Sequence, residues 1–333
     1  MSIRNKVFIV GGTGFLGYHT ILEFLNNGWE ATAVGLPSAL PESSFPPGIN
    51  LILRDIIAIP DEELLDLLGD HQAFVFAAGM DDRVIPKKPA YPKFHRANVE
   101  VPVHLLMLAK QAGIKNAVVF GSYFAHFHRL WPNLKLADRH PYIRSRVAKE
   151  NAVTSIPGLN VSVLELPYIF GDAFGKRSLW YPLVQYLRAM PFILCMHGGT
   201  ACISVKTVGK AAYSVIKRGE GNTFYPICQE NLTWSQLLTR LALAEGRRIK
   251  VVALPTWIIK LGMHIIFLFL KSQGKESGLN PLFFSDLQSA QTFLDSEFAC
   301  KTLGYQLDDL DESFKATMDS CRKNIARGIN FKE

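Results

Sequence analysis

No run of about eighteen uninterrupted apolar residues, the length a membrane-spanning helix needs, occurs anywhere in the 333 residues. Blocks of five or more like charges are also missing. The excess of 36 basic over 29 acidic residues, a net charge of +7, is therefore scattered, and no nucleic-acid partner is expected. A site for a phosphate-bearing small molecule accounts for the same excess. Cysteine is scarce and odd in number: Cys195, Cys202, Cys228, Cys300 and Cys321, with no CxxC pair. That excludes a disulfide framework and points to buried free thiols in a reducing compartment. His126, His128 and His140 have no carboxylate or cysteine spaced with them, so they read as polar loop residues and no metal is expected. The opening residues lack the long apolar core of a secretory signal, and the expected location is cytoplasmic.

Short apolar runs at 7–10, 31–34, 51–53, 73–77, 117–120 and 161–166 read as strands, several apolar throughout, as in a sheet covered on both faces. Helical patterns lie between them, such as 16–25 and 98–112, the latter closed by Gly113. Strand–helix repetition at this spacing gives an α/β protein with a Rossmann-type, doubly wound parallel sheet. Four prolines in 36–48 and three in 86–92 mark two loops. The alternation weakens after Phe170. The expected division is a dinucleotide-binding domain of residues 1–170 plus about 201–230, and a smaller substrate lobe of 171–200 plus 231–333.

The first strand runs directly into Gly11-Gly12-Thr13-Gly14-Phe15-Leu16-Gly17, and a helix follows. Glycines allow the sharp turn, the approach of backbone N–H groups to a pyrophosphate and close packing of helix on strand. The helix N-terminus then offers unpaired N–H groups to phosphate. A dinucleotide site on Gly11, Thr13, Gly14, Phe15, Leu16 and Gly17 is the expectation.

Further along stand Arg54-Asp55-Ile56, Ala77-Ala78-Gly79, Asn98, Gly121-Ser122, Tyr142 with Ser145, Pro167 with Gly171, and Leu303-Gly304-Tyr305. In this order the sequence resembles the extended short-chain dehydrogenase/reductases, which include the NAD-dependent epimerases and dehydratases; the resemblance covers about residues 5–245. It implies an enzyme using NAD(P). Asp55 would hold the adenine amino group beside Ile56. Ala77, Ala78 and Gly79 would line the cofactor, with Asn98 in the same set and Pro167 flanking the nicotinamide. Ser122 and Tyr142 would face the reacting carbon, the phenol moving a proton while hydride passes to or from the nicotinamide. The resemblance also implies a homodimer through helices around 98–112 and 142–154.

Three departures shape the reading. The family has lysine four residues after the tyrosine, and here Arg146 stands there. It keeps a fixed positive charge on the tyrosine's helical face but cannot release a proton. Lys149, about 10 Å along the axis, is too far to replace it. Gly35 closes the second strand where an NAD-specific site would place a carboxylate, which tilts the expectation toward NADP. The Asp-Glu pair that nucleotide-sugar dehydratases carry after Ser122 is missing, and Tyr168 stands where sugar-nucleotide epimerases tend to have asparagine. Phe124, Phe127, Trp131, Phe170, Phe174 and Trp180 could instead wall an aromatic pocket or be plain core. The reading is hydride transfer at a secondary alcohol or ketone of a fairly apolar small-molecule substrate. Sugar-nucleotide epimerisation or dehydration is the enzymatic alternative, and a non-catalytic dinucleotide-binding protein the other.

One segment stands apart. Residues 256–271 hold a near-continuous apolar run between Lys260 and Lys271, too short to span a bilayer. Such apolarity is expected of a core helix or pocket lid in the second lobe; contact with a membrane surface is the alternative.

Overall fold

Consecutive apolar strands can all be central only if helices cover both faces of the sheet, and the computed structural model, which describes residues 4–37, 44–174 and 178–326, has that arrangement. Residues 38–43 of the expected loop, and the ends of the expected domains at 1–3 and 327–333, lie outside the described residues. Strands β1 (Lys6–Val10), β2 (Glu30–Gly35), β3 (Ile49–Leu53), β4 (Ala73–Phe76), β5 (Asn116–Phe120) and β6 (Asn160–Glu165) match the six apolar runs within two residues at each end. Counting on along the chain, β7 is Tyr168–Phe170, β8 Phe192–Cys195, β9 Gly199–Ser204 and β10 Phe224–Pro226. The order β10-β6-β5-β4-β1-β2-β3, with every neighbour parallel, makes one seven-stranded sheet.

Side chains alternate strictly between two layers. Val7, Ile9, Ala73, Val75, Val118 and Phe120 enter one buried cluster, and Phe8, Val10, Phe74, Phe76, Ala117 and Val119 enter the other. Period-two alternation with both sides apolar is why these runs show no polar face. In chain order the first helices are α1 (Phe15–Asn26), α2 (Asp61–Leu68), α3 (Tyr91–His95), α4 (Val101–Gln111), α5 (Tyr123–Leu130), α6 (Leu136–Arg139), α7 (Pro141–Thr154), α8 (Tyr181–Ala189) and α9 (Val205–Arg218). A five-residue π-helical stretch, Arg96–Glu100, joins α3 to α4. Strand order reverses between β1 and β4, so the loops after both strands open into one crevice at their C-terminal ends.

The remaining elements are β11 (Glu230–Thr233), α10 (Trp234–Ala244), β12 (Lys250–Ala253), α11 (Thr256–Ser272), α12 (Pro281–Gln288), β13 (Gln291–Thr292), α13 (Phe298–Leu303) and α14 (Leu310–Ala326). Around β9 gather β7, β11 and β13, and β8 pairs with β12. Residues 201–204 thus sit in the second sheet, whereas α9 and β10 belong with the first. Ala299, Leu303 and Tyr305, from the far end of the chain, are buried in the first domain's core. The five cysteines are free thiols, all buried except half-buried Cys300.

Two sequence expectations change here. His126 and His128 are on α5 rather than in a loop, and His140 is fully buried at the start of α7. Helix α11 is neither core nor lid: it rests on α12 along one stripe and only Leu270 is fully buried. Apolarity alone does not distinguish a helix surrounded by protein from one whose apolar faces are left open.

Candidate active site

The glycine turn is held by its own backbone. Gly11 and Gly12 donate their N–H groups to the Val34 carbonyl at 2.7 and 3.1 Å, and Gly14 N–H to the Gly11 carbonyl at 2.9 Å. Gly11 has φ +85°, and a Cβ there would lie 2.9 Å from the Ala77 carbonyl carbon. A Cβ at Gly17 would collide with the Gly11 carbonyl oxygen. These two glycines are needed to close strand, turn and helix together.

Gly14 is different, since only the Gly11 oxygen, at 3.1 Å, lies near the position its Cβ would take. The protein leaves a cradle there that a side chain would fill. Gly14 is also the N-cap of α1, with no side-chain hydrogen bond to the helix and no acidic residue in the first turn. The first N–H groups and the positive helix end are thereby left for an anion. Thr13 is buried, and a Cβ at Gly35 would strike its side chain, so Thr13 fills the space beside Gly35 at the end of β2.

Across the crevice, Asp55 is exposed and uses one carboxylate oxygen to accept from Ile57 N–H at 3.1 Å, capping a short turn that begins at Ile56. Its other oxygen is left for a donor. Ala77 and Ala78 are half-buried, and Gly79, exposed with φ +138°, turns the chain away from β4. Asn98 is completely buried in the π-helical stretch. Its amide accepts from Met80 N–H at 2.9 Å and donates to the Met80 carbonyl and Ser145 Oγ, both at 3.0 Å. It acts on the crevice by pinning the 79–80 turn.

Helix α7 explains why its sequence is not amphipathic. Its buried stripe is Tyr142, Ile143, Ser145, Arg146, Lys149, Glu150 and Val153, at helical spacing but largely polar. Pro141 starts the helix, and Ser145 donates to the Tyr142 carbonyl at 2.7 Å. Arg146 holds its guanidinium 4.9 Å from the Tyr142 ring centre and donates to the Met80 carbonyl at 3.4 Å. Its buried Nε has no partner. Lys149 is fully buried and donates to the Phe120 carbonyl, away from the tyrosine, with its ammonium disfavoured by burial and by Arg146. Ser122 caps α5 by accepting from Phe124 N–H, and its hydroxyl lowers the pKa of the Tyr142 phenol. Pro167 is buried beyond β6.

Burial raises the Tyr142 pKa. Arg146 opposes this, Asp82 reinforces it, and the Ser122 and Arg146 hydrogen bonds pull it down. Burial wins, so the phenol is protonated at neutral pH in the free protein. Asp82, beside the Gly79 turn, is a charged group that motif reading misses. Its carboxyl is raised by burial and by Asp81, it is partly offset by Arg146, and it also raises Tyr168.

Behind α7, Arg129 bridges two fully buried carboxylates, Glu150 at 3.0 Å and Glu165, with His126 3.4 Å from Glu165. Burial and Glu165 push the Glu150 carboxyl up. This cluster locks α5, α7 and β6 together beneath the tyrosine.

The six expected pocket aromatics do not converge. Phe127 stacks on Trp131, and both pack in one cluster with Phe124 and Tyr142. Phe170 stacks on Trp180 in another, and Phe174 stacks on Tyr18 near the glycine turn. Tyr168 links the first two through Tyr123 and Trp180, and its hydroxyl accepts from Gln288 at 3.1 Å.

Known proteins share this fold. A family model described as the NAD dependent epimerase/dehydratase family matches residues 7–185. A dTDP-6-deoxy-L-talose 4-dehydrogenase (NAD(+)) from Aggregatibacter actinomycetemcomitans is 28% identical over 192 residues, 54% of this chain and 67% of that protein. Among solved structures, gox2253 has a TM-score of 0.78 at 17% identity, covering 96% of this chain and 99% of its own. UDP-glucose 4-epimerase from Bifidobacterium longum, in complex with NAD+ and UDP, has a TM-score of 0.68 at 14% identity over 96% and 99%.

Proposed function

This chain belongs to the NAD dependent epimerase/dehydratase family and is an NAD(P)-dependent enzyme, and from that premise we propose that it transfers hydride at a secondary alcohol or ketone, with Tyr142 as the proton-transfer group. The observation that carries the reading is Tyr142 buried with Arg146 over its ring, on a helix tied through Arg146 and Asn98 to the turn after β4.

The dinucleotide would lie with its pyrophosphate on the Gly14 cradle and the N-terminus of α1, and its adenine amino group at Asp55 and Ile56. The 77–79 turn would line its length, and Pro167 would flank the nicotinamide. Its chemistry is to give or take hydride. Tyr142 gives its proton to the carbonyl oxygen as the carbon receives hydride, and recovers it in the reverse direction. Arg146 stabilises the phenolate left behind, with a charge that stays fixed across the working pH range. With Gly35 in place of a carboxylate and Thr13 filling the space beside it, nothing described at the end of β2 repels a 2′-phosphate, so NADP is accepted.

In this reading the substrate carries an apolar or aromatic group beside its carbonyl, because the Asp-Glu pair of nucleotide-sugar dehydratases is missing after Ser122 and Tyr168 stands where sugar-nucleotide epimerases tend to have asparagine. The 4-dehydrogenase relative favours a second reading, a keto-sugar nucleotide in the same site. Deuteride transfer from 4-deuterated NADPH or NADH to a panel of aryl ketones and 4-keto sugar nucleotides separates them. Label in the aryl alcohols supports the first reading and label only in sugars the second. Gly14→Val should abolish dinucleotide binding by filling the cradle; fluorescence titration showing parental affinity would overturn the assignment of that turn.

A further inference from the structure

We propose that α11 docks the enzyme on an anionic bilayer surface, its open apolar face entering the boundary between headgroups and acyl chains. The helix touches the protein along a single stripe of Thr256, Ile259, Met263, Phe267 and Leu270, spaced by three or four residues. Opposite that stripe, Trp257 (67% exposed), Leu261 (57%), Ile265 (61%) and Leu268 (51%) form a second line, with Phe269 (60%) beside it. A contiguous apolar face of this size is rare on a soluble monomer and marks a contact surface.

Charge decides what covers it. Lys260, His264 and Lys271 fall along one flank of the open face, where long side chains can rise from the apolar layer to the headgroups. At the C-terminal end, Lys275 pairs through its backbone with Lys87, and Lys88 N–H donates to the Gly274 carbonyl at 2.9 Å. Exposed Lys87, Lys88, Lys271 and Lys275 thus gather around the tip of α11, and none of them is in an ion pair among the described residues. Of the nearby carboxylates, Asp286 pairs with Lys260 at 2.8 Å and Glu276 accepts from Ala90 N–H. A cationic border around an apolar face complements anionic lipid. A twofold contact between two copies would instead set the same lysines against each other.

The docked end is also tied to the crevice. Glu276 N–H donates to the Pro86 carbonyl, and Tyr142 N–H to the Gly278 carbonyl at 2.9 Å. The segment leaving α11 therefore runs directly to the first turn of α7.

Flotation of the full chain with vesicles tests the proposal, using phosphatidylglycerol mixed into phosphatidylcholine against phosphatidylcholine alone. The protein should float with the anionic vesicles and less so as salt rises. Ile265→Glu with Phe269→Glu should abolish flotation. Lys271→Ala with Lys275→Ala should lower partitioning by about thirty-fold. Melting temperature and dinucleotide affinity should stay at parental values in both variants, because all four side chains are exposed. Failure to float with anionic vesicles, or flotation indifferent to these substitutions, overturns the proposal. So does loss of an oligomer in the glutamate variant without any vesicle binding, which would assign the face to a second copy.

Discussion

Tyr142 is a phenol whose surroundings disagree about its proton. Arg146 and Ser122 favour the phenolate, while burial and Asp82 favour the neutral form and prevail. Removing the Asp82 charge should therefore shift the balance toward phenolate. In Asp82→Asn, the pH at which alcohol oxidation rises should move down, because the same phenol ionises at lower pH without a carboxylate near it. An unchanged pH profile would mean that Asp82 does not act on the tyrosine. Gly14 stands out as a candidate from its local strand–turn–helix pattern, and Asp55 and Tyr142 from the family resemblance. Asp82 does not. Its place depends on Met80 being held by two hydrogen bonds from Asn98, eighteen residues beyond Met80, and no local spacing records such a contact.

Among the elements, the first six strands were readable because most are apolar runs bounded by turn residues, and several, such as β1 and β4, are buried on both faces. Helix α7 was harder, since its buried stripe is polar and its purpose emerges only from what it touches. Its entry is governed by His140, whose Nδ1 accepts from Asn280 N–H at 2.9 Å and whose Nε2 is buried without a partner. Burial and Arg139 lower this imidazole from 6.5 to about 4. The sign follows from protonation: the unfolded histidine takes up its proton below 6.5 while the folded one does so only near 4. Its stabilising contribution is thus complete above pH 6.5 and is lost as pH falls toward 4, by about 3 kcal/mol. Asparagine can present an oxygen to the same N–H. In His140→Asn, thermal melts between pH 7 and 4 should lose this part of their pH dependence, and a parental slope would contradict the assignment. Helix α11 was misread as core for a different reason: an apolar run looks the same whether protein covers it or leaves it open.

At the scale of the molecule, the parallel sheet places the turns after β1 and β4 at the point where strand order reverses, and α7 brings Tyr142 to that crevice from the other side. The segment between α11 and β13 is joined to the same region: the Gly278 carbonyl accepts from Tyr142 N–H, and Gln288 donates to the Tyr168 hydroxyl. The proposed site requires a bound nicotinamide and the Tyr142 phenol to meet, and that requirement can be measured without knowing the substrate. Oxidised nicotinamide is positively charged, and a positive charge beside the phenol favours its anion. Tyrosinate absorbance should be titrated against pH with and without saturating oxidised dinucleotide, in the parent and in Tyr142→Phe. The parent should show one tyrosine whose ionisation moves to lower pH when the dinucleotide binds, and Tyr142→Phe should bind equally well and lack that shift. Identical titrations with and without bound dinucleotide, or a shift that survives in Tyr142→Phe, would contradict the account.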